Sequence, residues 1–419
     1  MALVLRDSLS GALRPVRGRP RRPVTLYVCG PTVYAAAHVG HARNYLEFDL
    51  IRRNLEADGH RVRHVMNLTD IEDKIDQRAA ELGLTWRTLA RREEAAFFRD
   101  MDALRLLRPH ARPRASAFVG PMIEVARRLE RTGRVRRVDD AWIYRPPARP
   151  RGANFSSADA IAQHAVPEPD RPFPRDGAGA GEFVLWKRQS APRAAWPSPW
   201  GEGVPGWHLE CYAMARHYLG IPVDVHGGGR DLMFPHHFAE NEIALALDRD
   251  RFARLFVHVA FVLQGGSKMA KSTGNLVTIR AALATVPPDA LRFYLLRRPY
   301  AERIAWEPAD LDGAAAEYER IRSAFAAWAG PGAGVRWGRA AAATLVRDVR
   351  SDLAHNLDSG RALARLGAFA QSLRADPSGR APRGDGPAVR AAVAELEVRT
   401  GLRLRGPGAV RGRRGRPRR

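Results

Sequence analysis

A chain of 419 residues, 45% of them hydrophobic, is long enough for about two or three domains around a sizeable core. No run approaches about 20 uninterrupted apolar residues and the N-terminus lacks a signal-peptide pattern, so the sequence argues against a membrane protein and indicates the cytoplasm. The net charge of +23, almost all of it from arginine, suits a polyanionic partner, although an arginine-biased genome would give the same balance.

Strands and helices alternate in the first part of the chain. Residues 24–29 predict a buried strand, and a helix follows from about His41 to Ala57. Residues 61–66 predict a second strand, and residues 72–106 predict helices. This alternation predicts a parallel sheet of the doubly wound α/β type.

Residues 112–195 differ in character, because helical stretches give way to a segment rich in proline and glycine. They predict an insertion into the α/β unit, which resumes after it and is followed mainly by helices. The predicted later elements are a strand at 256–263, helices at Asp289–Arg297, Leu311–Trp328, Ala340–Leu373 and Ala388–Arg399, and a loop at Asp376–Pro387.

Two short motifs indicate a nucleotide site. His38 and His41 stand between a strand and a helix, where backbone N–H groups suit phosphate and two imidazoles can donate hydrogen bonds to a developing anion. Gly40 between them allows a base or sugar to approach the backbone. Lys268 and Lys271 follow two glycines and can bring two positive charges over a triphosphate. Taken alone, the histidine motif is equally compatible with ordinary surface histidines, and the lysine motif with a solvated basic loop.

A dispersed set of four residues has metal-ligand chemistry. His236 and Glu240 are four apart and share one face if that stretch is helical. With Cys29 and Cys211 they offer two thiolates, an imidazole and a carboxylate, a plausible tetrahedral zinc set. The alternative is two inert core thiols and a buried histidine, because the two cysteines lie far apart in sequence.

These motifs belong to a longer series of strings between about residues 24 and 310. The series comprises Tyr27–Tyr34, His38–Arg43, Asn67–Ile75, Gly206–Cys211, Asp224–His237 and Lys268–Asn275. In this order the strings resemble the cysteinyl-tRNA synthetases, a class I family of aminoacyl-tRNA synthetases.

The resemblance implies a Rossmann-like class I catalytic domain that is split by an inserted connective domain and followed by a helical region. We expect the catalytic halves at 1–111 and 196–285, the second half carrying the lysine loop. The insertion is expected at 112–195, the helical region at 286–405 and a basic disordered tail at 406–419. We also expect a monomer.

The resemblance further implies that ATP activates L-cysteine as cysteinyl-adenylate. ATP with Mg²⁺ would be bound by His38, Gly40, His41, Gly229, Asp231, Lys268 and Lys271, of which the histidines and lysines would be catalytic. One Zn²⁺, held by Cys29, Cys211, His236 and Glu240, would take the substrate thiol as a further soft ligand and so reject serine without an editing domain. Thr69 and Trp207 would line the cysteine pocket.

The carboxylate ligand has an alternative. Residues 238–239 stand where the family continues directly with glutamate. Glu240 keeps the spacing of four from His236, whereas Glu242 would be the ligand if these two residues are an insertion.

The acceptor of the cysteinyl group also has alternatives. Little sequence follows Arg399, whereas family members usually carry a further small domain that reads the anticodon. A relative that joins cysteine to glucosaminyl-inositol in mycothiol synthesis lacks that domain too. The strings at 30–34 and 224–226 and the basic balance favour tRNA(Cys), and a small amine is the alternative. A non-catalytic RNA-binding paralogue is a third interpretation, which the retained histidines and lysines oppose.

Overall fold

The computed structural model describes residues 1–18, 21–147, 181–269, 276–330, 338–375 and 385–405. Several predicted features lie outside the described residues: most of the segment rich in proline and glycine, Lys271, most of the loop at 376–387 and the basic tail. The side chain of Lys268 lies outside them as well. Within the described ranges, no helix combines the length and the apolar character that crossing a membrane requires.

The described residues fold into short strands and longer α-helices. The strands are β1 (Val4–Arg6), β2 (Leu13–Pro15), β3 (Val24–Val28), β4 (Val62–Met66), β5 (Val135–Val138), β6 (Ala141–Tyr144), β7 (Phe183–Arg188), β8 (Gly203–Pro205), β9 (Val223–Gly229), β10 (Ala253–Val259), β11 (Val262–Gln264), β12 (Ser267–Lys268) and β13 (Ile304–Ala305). The α-helices are α1 (Val39–Ala57), α2 (Asp73–Glu81), α3 (Trp86–Ala103), α4 (Val119–Glu130), α5 (Trp207–Tyr218), α6 (Phe238–Leu247), α7 (Ile279–Leu283), α8 (Pro288–Leu296), α9 (Pro308–Ala329), α10 (Arg339–Ala354), α11 (Ser359–Ala375) and α12 (Gly386–Thr400).

A parallel sheet in the order β10-β9-β3-β4 confirms the predicted fold class. Strand β3 is largely buried along its length, as expected for a central strand with helices on both faces. The chain leaves β3 toward β4 on one side and later adds β9 on the other side. The switch point between β3 and β9 is where open α/β sheets bind ligands, outside the carboxyl ends of the strands.

The insertion contains an antiparallel sheet in the order β5-β6-β7-β8. Its last strand, β8, lies beyond the boundary expected at residue 195. Trp186 of β7 is fully buried, with its ring centroid 5.9 Å from that of Trp200. The sequence of a strand as short as β8 does not specify its pairing partner, which is set by this packing. Strand β8 was therefore not predicted from the sequence.

Two predicted elements differ in detail from the structure. The strand predicted at 256–263 is two strands, β10 and β11, which belong to different sheets. The helix predicted over Ala340–Leu373 is two helices, α10 and α11. Asn356 and Leu357 break it with φ angles of 54° and 51°. The pattern of apolar residues does not reveal this break, because both helices place apolar residues in the same core.

The helical region packs directly onto the catalytic unit. Arg399 of α12 contacts Asn54 of α1 at 3.3 Å and Asp58 at 2.9 Å. Arg292 of α8 is fully buried, donates to Thr400 O at 3.0 Å and pairs with Asp49 of α1. A single hydrophobic core extends from the parallel sheet into these helices. The described helices up to residue 405 therefore share one hydrophobic core with the parallel sheet.

Candidate active site and metal centre

The candidate site lies where the chain leaves β3, β4 and β9. Cys29 directly follows β3, and its N–H donates to Gly227 O of β9 at 2.9 Å. The N–H of Gly30 donates to Asn67 Oδ1 at 2.8 Å. A Cβ at Gly30 would lie 1.6 Å from Asn67 O, so only glycine lets the exits of β3 and β4 come this close.

Four separate segments bring together the predicted metal ligands Cys29, Cys211, His236 and Glu240. The Sγ atoms of the two cysteines are 3.5 Å apart, and Cys211 Sγ is 3.4 Å from His236 Nε2. Glu240 Oε1 lies 3.0 Å from His236 Nε2 and 3.8 Å from Cys29 Sγ. Tetrahedral zinc with ordinary bond lengths separates its ligand atoms by about 3.3 to 3.8 Å. All four residues are buried, and their donor atoms fit zinc.

A second set, Cys29, His226, His237 and Glu240, also clusters. His226 donates from Nδ1 to Tyr27 O at 3.1 Å and contacts Glu240 Oε2 through Nε2 at 2.7 Å. We favour the first set, because it combines two sulfur ligands and uses Glu240 Oε1 while His226 orients the other oxygen. Sequence reasoning assigned no role to His226 or His237; a histidine within the fully buried part of strand β9 was the available signal.

The imidazole of His236 is oriented by two neighbouring residues. His208 Nδ1 lies 2.9 Å from His236 Nδ1, on the side of the ring opposite the sulfur atoms. Trp207 stacks on the imidazole, with centroids 3.8 Å apart and planes at 19°. Together these contacts hold Nε2 toward Cys211. Trp207, expected to line the cysteine pocket, thus also covers one face of a predicted metal ligand.

The charges within the cluster favour a bound cation. Burial raises the pKa of the Cys29 thiol well above its usual range. Burial acts in the same direction on Cys211, but a hydrogen bond with Cys29 and the charge of His236 outweigh it and lower the pKa to about 7. Burial acts to lower the pKa of His236, yet Glu240 and Cys211 raise it to about 10. A metal ion would replace the protons that this cluster otherwise has to hold.

Thr69 belongs to a buried hydrogen-bonded group beside the sulfur atoms. Its hydroxyl donates to Glu210 Oε2 at 3.0 Å and accepts from Asn67 Nδ2 at 3.3 Å. Asn67 Oδ1 lies 3.5 Å from Cys211 Sγ. Burial raises the pKa of the Glu210 carboxyl well above its ordinary value. The structure thus places Thr69 next to the metal cluster; its role in a cysteine pocket stays a prediction.

The histidine pair caps helix α1. Gly40 N–H donates to His38 Nδ1 at 3.1 Å, and His38 N–H donates to His41 Nδ1 at 3.3 Å. Because both Nδ1 atoms accept, each neutral ring carries its proton on Nε2. The ring centroids are 3.9 Å apart, and a Cβ at Gly40 would lie 2.9 Å from the His38 ring. The cap hydrogen bonds thus leave two adjacent Nε2–H groups at a helix N-terminus.

The segment after the lysine loop is attached to the start of α1. Thr278 forms a β-bridge with His38, and Val39 N–H donates to Val277 O at 3.0 Å. Ile279 N–H donates to Ala37 O at 3.0 Å. These contacts place residues 277–279, which follow the predicted lysine motif in the chain, beside the predicted histidine motif at the start of α1.

Gly229 and Asp231 also lie at this end of the sheet. Gly229 ends β9, and Asp231 follows in a single turn of 3-10 helix. A Cβ at Gly229 would lie 2.4 Å from Asp231 Oδ1, so the glycine allows the carboxylate to fold back over the strand end. Their binding of ATP stays a prediction.

Comparison with known proteins gives consistent results. Residues 16–316 match the family described as tRNA synthetases class I (C) catalytic domain. The L-cysteine:1D-myo-inositol 2-amino-2-deoxy-alpha-D-glucopyranoside ligase of Tsukamurella paurometabola is 39% identical over 404 residues, covering 94% of each chain. The cysteine--tRNA ligase of Trichlorobacter lovleyi is 40% identical over 334 residues, covering 78% of this chain and 67% of that protein. Methionyl-tRNA synthetase of Mycobacterium tuberculosis, solved with methionyl-adenylate, shares the fold with a TM-score of 0.63 at 17% identity, covering 90% of each chain.

Proposed function

The chain belongs to the family of class I (C) tRNA synthetase catalytic domains, and we propose that it activates L-cysteine with ATP and transfers the cysteinyl group to the amine of a small amino sugar. The observation that carries the activation step is that two groups of residues lie together at one end of the sheet. A buried cluster of two cysteines, a histidine and a glutamate lies there together with the histidine cap of α1. The cluster suits a thiol substrate, and the cap suits a phosphate.

Activation is a displacement at the α-phosphorus of ATP. A carboxylate oxygen of cysteine attacks that phosphorus, and pyrophosphate leaves with the bonding electron pair. The Nε2–H groups of His38 and His41 donate hydrogen bonds to the phosphate oxygens on which negative charge develops. Lys268 and Lys271 add positive charge, and Mg²⁺ accompanies the nucleotide. Zinc, when bound, supplies a soft Lewis acid that holds the substrate thiol.

Transfer then consumes the adenylate. The neutral amine nitrogen of the acceptor attacks the carbonyl carbon, an amide bond forms and AMP leaves with its electron pair. The amine gives up one proton in this step. No further nucleophile from the protein is required, because the mixed anhydride is already activated.

The extent of the comparisons supports the small amine as acceptor. The ligase from Tsukamurella, whose name specifies an amino-deoxy-glucopyranoside of myo-inositol, matches this chain over 94% of both proteins. The match to the cysteine--tRNA ligase covers 67% of that longer protein. The acceptor that the sequence analysis ranked second is therefore our first proposal.

We expect the purified protein to form an amide from ATP, L-cysteine and 1D-myo-inositol 2-amino-2-deoxy-α-D-glucopyranoside. Mass spectrometry detects the product, and the N-acetylated sugar, which has no free amine, is the matched control and should not react. Cysteine-dependent exchange of pyrophosphate into ATP measures activation separately. Exchange without amide formation would contradict the acceptor, whereas no exchange would contradict cysteine activation itself.

The second candidate, transfer to tRNA(Cys), is favoured by the net charge of +23. If tRNA is the acceptor, deleting residues 406–419 should weaken its binding and flatten the salt dependence, because fewer arginine–phosphate contacts release counterions. Pyrophosphate exchange should remain intact. Aminoacylation of tRNA(Cys) by full-length and shortened protein across a salt series checks this. If the full-length protein charges no tRNA at any salt concentration, the second candidate is wrong.

A further inference from the structure

We propose that Arg43 is a positioning residue for adenylate formation, because its guanidinium bonds helix α1 to the residues just before β11, the strand that precedes the predicted lysine motif. The inference rests on the adenylation step proposed above. Arg43 lies two residues beyond His41 and carried no role in the sequence analysis. Its role would be indirect: it would hold the histidine cap of α1 in register with strand β11 and the residues just before it.

The guanidinium of Arg43 joins three distant segments. Nη1 donates to Ala260 O and to Phe261 O, each at 3.2 Å, and Nη2 donates to Pro299 O at 2.9 Å. The side chain is fully buried. Burial lowers its pKa to about 10, so the group remains charged at neutral pH.

The bonded carbonyls lie where the chain changes direction. Ala260 and Phe261 separate β10 of the parallel sheet from β11, and Pro299 follows α8. The two terminal nitrogens of a planar guanidinium point in different directions, so they can donate to both places at once. Lysine has a single nitrogen.

The hydrogen bonds of this guanidinium do not go to the nearest acidic side chain, although the charge of that side chain acts on it. Glu47 lies one turn further along α1, and both of its carboxylate oxygens lack a hydrogen-bond partner. The guanidinium therefore bonds to backbone carbonyls and not to that carboxylate. A buried charge whose hydrogen bonds go to three backbone carbonyls indicates that the positions of these carbonyls matter.

The segment held by Arg43 leads directly to the lysine loop. Strand β11 pairs with β12, which contains Lys268, and with β13, and Ile304 N–H donates to Phe261 O at 3.1 Å. The far side of the loop is attached at Thr278 and Val277 to the first residues of α1. Helix α1 is thus bonded to described residues that precede the predicted lysine motif, through Arg43 at Ala260 and Phe261, and to residues that follow it, through the start of the helix at Val277 and Thr278.

Arg43→Lys tests this role, because it keeps the charge and loses the fork. Displacing catalytic groups by about 1 Å can cost ~100-fold in rate. We expect kcat for cysteine-dependent pyrophosphate exchange to fall by ~10- to 100-fold, while KM for cysteine and the zinc content stay within ~3-fold. The amides of Val39 and Ile279 should also exchange hydrogen faster, because their partners are no longer held.

Arg292→Lys is the matched control. Arg292 is equally buried and also donates to carbonyls, at Thr400 and Leu104. It pairs in addition with Asp49 in the middle of α1, but it contacts neither predicted nucleotide motif. Its variant should lose comparable thermal stability and keep kcat within ~3-fold. If Arg43→Lys does not fold, Arg43→Gln replaces it, since an amide needs no buried charge.

The outcomes separate the two proposals. Unchanged kcat in the Arg43 variant, or an equal fall in both variants, would overturn the positioning role. Absence of exchange in the wild-type protein would instead overturn the adenylation step, whatever the variants do.

Discussion

Replacing Cys211 with serine is expected to remove zinc and to abolish cysteine activation. The sulfur of Cys211 lies 3.5 Å from Cys29 Sγ and 3.4 Å from His236 Nε2, so it occupies one corner of the donor set. A serine hydroxyl is protonated at neutral pH and is a poor zinc ligand. Losing a residue that merely orients a ligand lowers metal affinity by about 10- to 100-fold. Loss of a ligand itself should therefore lower zinc affinity by more than ~100-fold.

Elemental analysis and pyrophosphate exchange measure the two effects. Tyr212→Phe is the matched control, because Tyr212 is the next residue on α5 and its hydroxyl donates to Asp248 at 2.6 Å, away from the sulfur atoms. That variant should keep zinc and exchange activity. Removing zinc from the wild type with a chelator should stop exchange, and added Zn²⁺ should restore it. Stoichiometric zinc in the purified serine variant would contradict the ligand set.

Replacing His41 with asparagine is expected to slow adenylate formation by ~100-fold or more, with little change in cysteine affinity. Asparagine offers an oxygen near the position of Nδ1, so it can still accept from His38 N–H, but it lacks the Nε2–H group. A donor aimed at charge that develops in the transition state contributes to the rate rather than to substrate binding.

His41→Gln is the complementary variant. Its amide places a donor near the position of Nε2 but provides no acceptor for the cap, so it should retain more activity and lose about 1 kcal/mol of stability. Single-turnover formation of cysteinyl-adenylate and thermal unfolding together distinguish the two variants. Equal rates in the asparagine variant and the wild type would show that His41 serves only as a cap.

Much of the fold follows from local patterns. Strand β3 is a short run of largely buried apolar residues, and helix α1 has its cap residues at its own start. Local sequence therefore specifies both elements. The antiparallel sheet β5–β8 was not predictable in the same way, because only β5 and β6 form a local hairpin, whereas β7 pairs with β6 and β8, which are distant in sequence. The break at Asn356 was missed for a similar reason. Asn356 N–H donates to Val4 O at 2.7 Å, a contact with the other end of the chain.

Residue types and their short spacings were enough to predict the fold class and the chemistry of the site: two thiols, a His–Glu pair four residues apart and two histidines at a helix start. Each of these is a property of residue type and short spacing, which the chain carries before it folds. Tertiary packing sets which oxygen of Glu240 faces His236, that Thr69 bonds to Glu210 and that Arg43 bonds to Pro299. Those contacts join residues from separate elements, and their geometry is fixed by how the sheet, helices and insertion pack together.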